Sequence, residues 1–100
     1  MKTRRLVRIP KRLFDRLNAV CANYMLYRYS FVATIIDKEV NKMNKFKPDS
    51  SLRVKEEYVN LDLNVNLESY DKIKGNKTQK IIRILDEVLT DYENGIERYK

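Results

Sequence analysis

The sequence predicts a mainly α protein with short β segments: two β-α-α units in one chain, their strands pairing as antiparallel two-stranded ribbons. Three observations carry this. Residues Tyr58 to Asn66 (YVNLDLNVN) alternate strictly between apolar and polar. Residues Thr3 to Ile9 are β-compatible and stop at Pro10, after which apolar residues recur at helical spacing. The order strand, helix, helix then returns beyond a segment with no clear period.

Each element follows from local chemistry. Proline disfavours the α region for the residue before it and suits a helix start, so Ile9-Pro10 reads as the end of a strand and the opening of a helix. Leu13, Leu17, Val20, Cys21 and Tyr24 share one face of a helix from about Lys11 to Tyr24. Ser30 is a candidate cap for a second helix. Its stripe is Val32, Ile35, Ile36, Val40 and Met43, and it ends near Asn44. Residues 45–55 (KFKPDSSLRVK) hold Pro48, Asp49 and two serines and read as a linker. In YVNLDLNVN, Val59, Leu61, Leu63 and Val65 fall on one side and Asn60, Asp62, Asn64 and Asn66 on the other, the pattern of a half-buried strand. Leu67, Tyr70 and Ile73 suggest a two-turn helix opened by Asn66 and closed by Gly75. Thr78 or Asn76 caps the last helix, whose stripe is Ile81, Ile84, Leu85, Val88, Leu89 and Tyr92, with Gly95 at its end. The unit boundaries are thus 1–44 and 56–100, joined by the linker 45–55.

Composition narrows the function. One hundred residues, 43% hydrophobic and 35% charged, are enough for one compact domain or two small ones sharing a core. A single Cys excludes a disulfide framework, and the absence of His removes both Cys/His zinc clusters and the base of the usual hydrolase triads. Cys21 reads as a small core residue. Glu56-Glu57 and Asp86-Glu87 are adjacent in sequence and so do not face each other as acid/base partners on a helix. We expect no enzyme, no cofactor, no metal and no small-molecule ligand. Ala19 to Ile36 is the nearest thing to a membrane span, but it contains Asn23, Arg28, Ser30 and three tyrosines. No apolar run follows the MKTRR start as a secretory signal requires. The expected location is cytoplasmic.

The net charge is +7, and it is lopsided: residues 1–50 hold 12 Lys/Arg against 4 Asp/Glu, while residues 51–100 hold 9 against 10. Such a one-ended basic block favours a polyanionic partner. A lone strand leaves unpaired backbone groups, so each predicted strand needs the other. Paired antiparallel, they would bury one face on four helices. The arginines of the first strand would then lie on the free face, and a two-stranded ribbon fits the major groove of B-DNA.

At this point the chain resembles the ribbon-helix-helix family of DNA-binding regulators, of the Arc and MetJ type. The residues carrying the resemblance in the first half are Leu6-Val7-Arg8-Ile9-Pro10-Lys11, then Leu13 and Leu17, then Tyr29-Ser30 before the Val32-to-Val40 helix. In the second half they are Val59 to Val65, then Gly75-Asn76-Lys77-Thr78 leading into Gln79 to Tyr92. The resemblance implies a tandem ribbon-helix-helix protein, a type known from conjugative-plasmid proteins and viral regulators. It implies base contacts from Arg4, Leu6 and Arg8 on the first strand and from Asn60, Asp62 and Asn64 on the second. Val7 and Ile9 would turn inward, and Arg5, on the same side, would have to escape to solvent. Phosphate contacts are implied for the start of each second helix, at Ser30 with Phe31 and at Thr78 with Gln79, joined by the basic residues Lys2, Lys11, Arg12 and Lys77.

The expected function is therefore sequence-specific binding of double-stranded DNA by a transcriptional regulator, a repressor acting by occupancy. The chain would act as a homodimer or higher oligomer, or with its two repeats paired internally. The alternatives are a relaxosome-type accessory protein, an antitoxin and, from another class, a protein-interaction module whose basic patch is incidental.

Overall fold

The structure, a computed structural model, describes residues 1–47 and 56–99. Its elements are β1 (Lys2–Pro10), α1 (Lys11–Asn23), α2 (Arg28–Met43), β2 (Tyr58–Asn66), α3 (Leu67–Lys72) and α4 (Lys77–Glu93). They form a compact mixed α/β domain in which a two-stranded antiparallel sheet lies against the helices. Most of the expected linker, residues 48–55, falls outside the described residues, as does Lys100. Of the remainder, Phe46 packs against the core with the Arg83 guanidinium 4.3 Å from its ring centroid.

The strands pair over their full length, from Lys2 opposite Asn66 to Pro10 opposite Tyr58. Each runs straight into a helix, and the ladder continues across the junction. The Lys11 N–H donates to the Glu57 carbonyl (2.8 Å), and the Leu67 N–H donates to the Met1 carbonyl (2.9 Å). One of the donors that each new helix would leave unsatisfied is thereby held by the opposite strand.

Alternation sets the two faces. Val7, Ile9, Leu61, Leu63 and Val65 are buried, and Val59 is half-buried near the end. Arg5 lies opposite Leu63 on the inward side. It reaches solvent as expected, its guanidinium 5.5 Å from the Tyr70 ring centroid and hydrogen-bonded to Thr3 Oγ1.

The helical stripes meet in one core. Leu13, Leu17, Val20 and Cys21 of α1, Val32, Ile35, Ile36, Val40 and Met43 of α2, and Ile81, Ile84, Leu85, Val88, Leu89 and Tyr92 of α4 are all buried, as their spacing predicts. Burial raises the Cys21 thiol above its ordinary pKa. Helices pack across the halves: α1 on α4, α3 on α2, and α2 on α4. Neither half buries its own stripes alone. At one end Tyr92 makes edge-on contacts with Tyr24 and Phe31, both at 5.1 Å, and the Tyr24 hydroxyl donates to the Tyr92 carbonyl.

The helix ends correct one expectation and decide between two alternatives in another. Ser30 does not cap α2. The helix begins at Arg28 with the extended residue Tyr27 at the cap position and no side-chain cap bond. The chain arrives there from a tight turn that closes α1: the Leu26 N–H donates to the Cys21 carbonyl, the Met25 N–H donates to the Ala22 carbonyl, and Met25 has φ +56°. This Schellman-type closure starts α2 earlier than a serine cap would. At α4 the cap is Asn76 rather than Thr78, with its side chain accepting from the Gln79 N–H (3.1 Å). Asn66 caps α3 in the same way through the Glu68 N–H.

Candidate nucleic-acid interface

The free face of the ribbon is built by strand alternation. With Val7, Ile9, Leu61, Leu63 and Val65 turned to the core, the residues between them must point outward. The pairing places Arg4 opposite Asn64, Leu6 opposite Asp62 and Arg8 opposite Asn60, with Lys2 opposite Asn66 at one end. All six expected base-contacting residues therefore lie on one exposed strip, which is the arrangement the alternation predicts. Leu6 is 64% exposed, an apolar side chain held in water by the register alone. Among the described residues, Arg4, Arg8 and Asp62 make no side-chain hydrogen bond or ion pair. The strip thus offers unengaged donors, acceptors and one apolar contact on a rigid two-stranded support. Arg4 to Arg8 spans about 13 Å at strand rise.

The expected phosphate contacts fare unevenly. Lys2 is exposed at the ribbon end. Lys11 pairs with Asp15 (3.1 Å), which holds its ammonium above the ordinary pKa, and Arg12 pairs with Glu56 (2.9 Å). Both pairs have exposed cations and can be exchanged for phosphate at small cost. Lys77 turns inward: its ammonium donates to the Tyr70 and Ile73 carbonyls and sits 5.0 Å from the Tyr70 ring centroid. It closes the α3–α4 connection.

Phe31 is buried and its N–H donates to the Tyr27 carbonyl (2.9 Å), so it has no donor left for an anion. The earlier helix start shifts the leading N–H groups to Arg28, Tyr29 and Ser30, with Arg28 itself at the first position. Its guanidinium lies 5.2 Å from the Phe14 ring centroid and 5.4 Å from that of Tyr29, and it donates to Asn18 Oδ1. The sequence signal for this start was the aromatic-rich turn without glycine before Arg28, which reads as a loop until its hydrogen bonds are seen. In α4, the Gln79 N–H is taken by Asn76, and Thr78 is half-buried in the first turn.

Elsewhere the charges are spent on the fold. Arg16 bridges α1 to α4, donating to both carboxylate oxygens of Glu93 (2.7 and 3.0 Å), to Asp86 and to Thr90 Oγ1. This contact lowers the Glu93 pKa and raises that of Arg16. A groove of about 370 Å³ beside Phe46, Arg83, Asp86, Glu87, Thr90 and Asp91 is acidic, but Asp86 is held by Arg16, Glu87 by Lys42, and Asp91 by Arg98. Among the described residues there is no group of three or more His, Cys, Asp or Glu placed to hold a metal ion, and no helix long and apolar enough to cross a membrane.

Comparison with known protein families, with curated proteins and with solved structures finds no match. The class that fold and site define is accordingly structural: a mixed α/β domain presenting a two-stranded ribbon with one apolar face buried and one cationic, polar face open.

Proposed function

We propose that the chain is a tandem ribbon-helix-helix protein that binds double-stranded DNA sequence-specifically and regulates transcription, repressing by occupancy of a promoter. The observation that carries this reading is the open ribbon strip, on which Arg4, Leu6, Arg8, Asn60, Asp62 and Asn64 stand together with their functional groups unspent. The major groove is about 12 Å wide and admits such a ribbon. There an arginine pairs bidentately with guanine, an asparagine with adenine, leucine meets a thymine methyl, and an aspartate accepts from cytosine N4–H. Lys2, Lys11 and Arg12 supply phosphate contacts beside the ribbon, and the uncapped start of α2 supplies backbone donors with a helix dipole behind them. The cross-packing of α1 on α4 and α3 on α2 supports two β-α-α units folded into one another.

The test is titration of labelled duplexes by fluorescence anisotropy between about 50 and 200 mM salt, where several phosphate contacts should weaken affinity by orders of magnitude. Arg8→Ala should cost about 1–3 kcal/mol of binding and relax the preference at one base pair, with the melting temperature unchanged. Absence of duplex binding at low salt would reject the proposal.

A further inference from the structure

We propose that a single chain is a complete reader of DNA that lacks dyad symmetry: it binds as a monomer to a non-palindromic duplex element. This rests on the DNA-binding reading above and deepens it by naming the class of target.

Two observations lead here. The ribbon is closed within one chain, since β1 pairs with β2 over nine residues of each and both inward faces enter the same core. No second copy is needed to supply a strand. The two strands are also chemically unlike wherever they reach outward. A ribbon made from two copies of one strand shows the same residues twice about its two-fold axis, so it must read the same bases twice in inverted order. In this ribbon the local two-fold axis passes the Leu6–Asp62 pair. Rotation about it sends Arg4 onto Asn60, Arg8 onto Asn64 and Leu6 onto Asp62.

None of these exchanges conserves the base preference. Guanine offers two acceptors, O6 and N7, to an arginine fork; adenine offers an acceptor and a donor to an asparagine amide. A carboxylate only accepts, so Asp62 favours the N4–H of cytosine and is repelled by the acceptor edge that suits Arg4 or Arg8. Leu6 offers no hydrogen bond and favours a thymine methyl. The two halves of the element must differ at every position the ribbon reaches, and a palindrome would leave one strand mismatched.

The experiment is selection from random duplexes by the full chain, followed by native mass spectrometry on the winning duplex. The expected result is an enriched element without internal inverted symmetry, carrying one chain per element. The double variant Asn60→Arg/Asn64→Arg makes the outer positions of the two strands alike. Both sites are exposed, and circular dichroism checks that the fold is kept. Its selection should yield a more symmetric element, preferred over the original by roughly tenfold or more. A palindromic element bound by two chains, or an unchanged element selected by the double variant, would overturn the inference while leaving DNA binding in place. Failure to enrich any duplex would overturn both this inference and the function on which it rests.

Discussion

The two halves of this chain share an order of elements and differ in how they finish them. In the C-terminal half, α3 and α4 are opened by asparagine side chains, Asn66 and Asn76, and α4 is closed by a turn with Gly95 at φ +82°. In the N-terminal half, α1 and α2 start without any side-chain cap, and a turn of the same type after α1 places Met25 at φ +56°. The hydrogen bonds of the two turns correspond: Leu26 to Cys21 and Met25 to Ala22 in one, Ile96 to Asp91 and Gly95 to Tyr92 in the other. One half follows the local rules of helix ending, and the other breaks them while carrying the excess of positive charge. Local violations of this kind concentrate where a protein spends stability on function, and the larger share of the proposed DNA contacts is in the same half. The contrast teaches that the C-terminal half ends its helices by local capping, whereas the N-terminal half relies more on the core that the two halves share.

The largest effect should come from the shared core. Leu63 is 1% exposed on β2, the strand that packs on α1 and α2 as well as on α3. Leu63→Ala should cost about 2–5 kcal/mol by urea unfolding, in a single transition for the whole chain. A separate transition for one half would break the comparison. Next comes capping: Asn76→Ala should cost about 1 kcal/mol, because it frees the Gln79 N–H, whereas Ser30→Ala should change thermal stability little, since Ser30 caps nothing.

Smaller still is the exchange of turn residues. Met25→Gly should gain on the order of 0.5–1 kcal/mol by relieving the left-handed conformation, and Gly95→Ala should lose about as much. Opposite signs at these two turns of the same type would sharpen the contrast; equal signs would remove it. The smallest effect is acid sensitivity. The contact with Arg16 lowers Glu93 from its ordinary value of 4.5, so its contribution is present above that pH and is lost as pH falls through the depressed value. Arg16→Met should flatten the corresponding part of the stability curve below about pH 4.5 in melts taken across the acid range, with only a modest change at neutral pH because the carboxylate is largely exposed.

Residue order alone was enough for the order of the elements and for their buried faces. Alternation is a property of consecutive side chains, so YVNLDLNVN could only be a half-buried strand, and Pro10 could only punctuate between strand and helix. The same alternation placed Arg4, Leu6 and Arg8 outward, since it needs no partner to operate. The stripes of α1, α2 and α4 were legible for the equivalent reason at helical period. What tertiary structure decided was everything that depends on a distant partner. That β1 meets β2 of its own chain, and in the register that sets Leu6 against Asp62, follows from which apolar faces fill one core. That α2 starts at Arg28 follows from the turn after α1. Lys77 turns inward to carbonyls that only the folded α3 brings within reach, while Arg12 meets a glutamate 44 positions away. Short-range patterns encode which side of an element is dry. Long-range packing selects which charged groups remain available to something outside the protein, because a cation's partner is set by distance in space and not by distance along the chain.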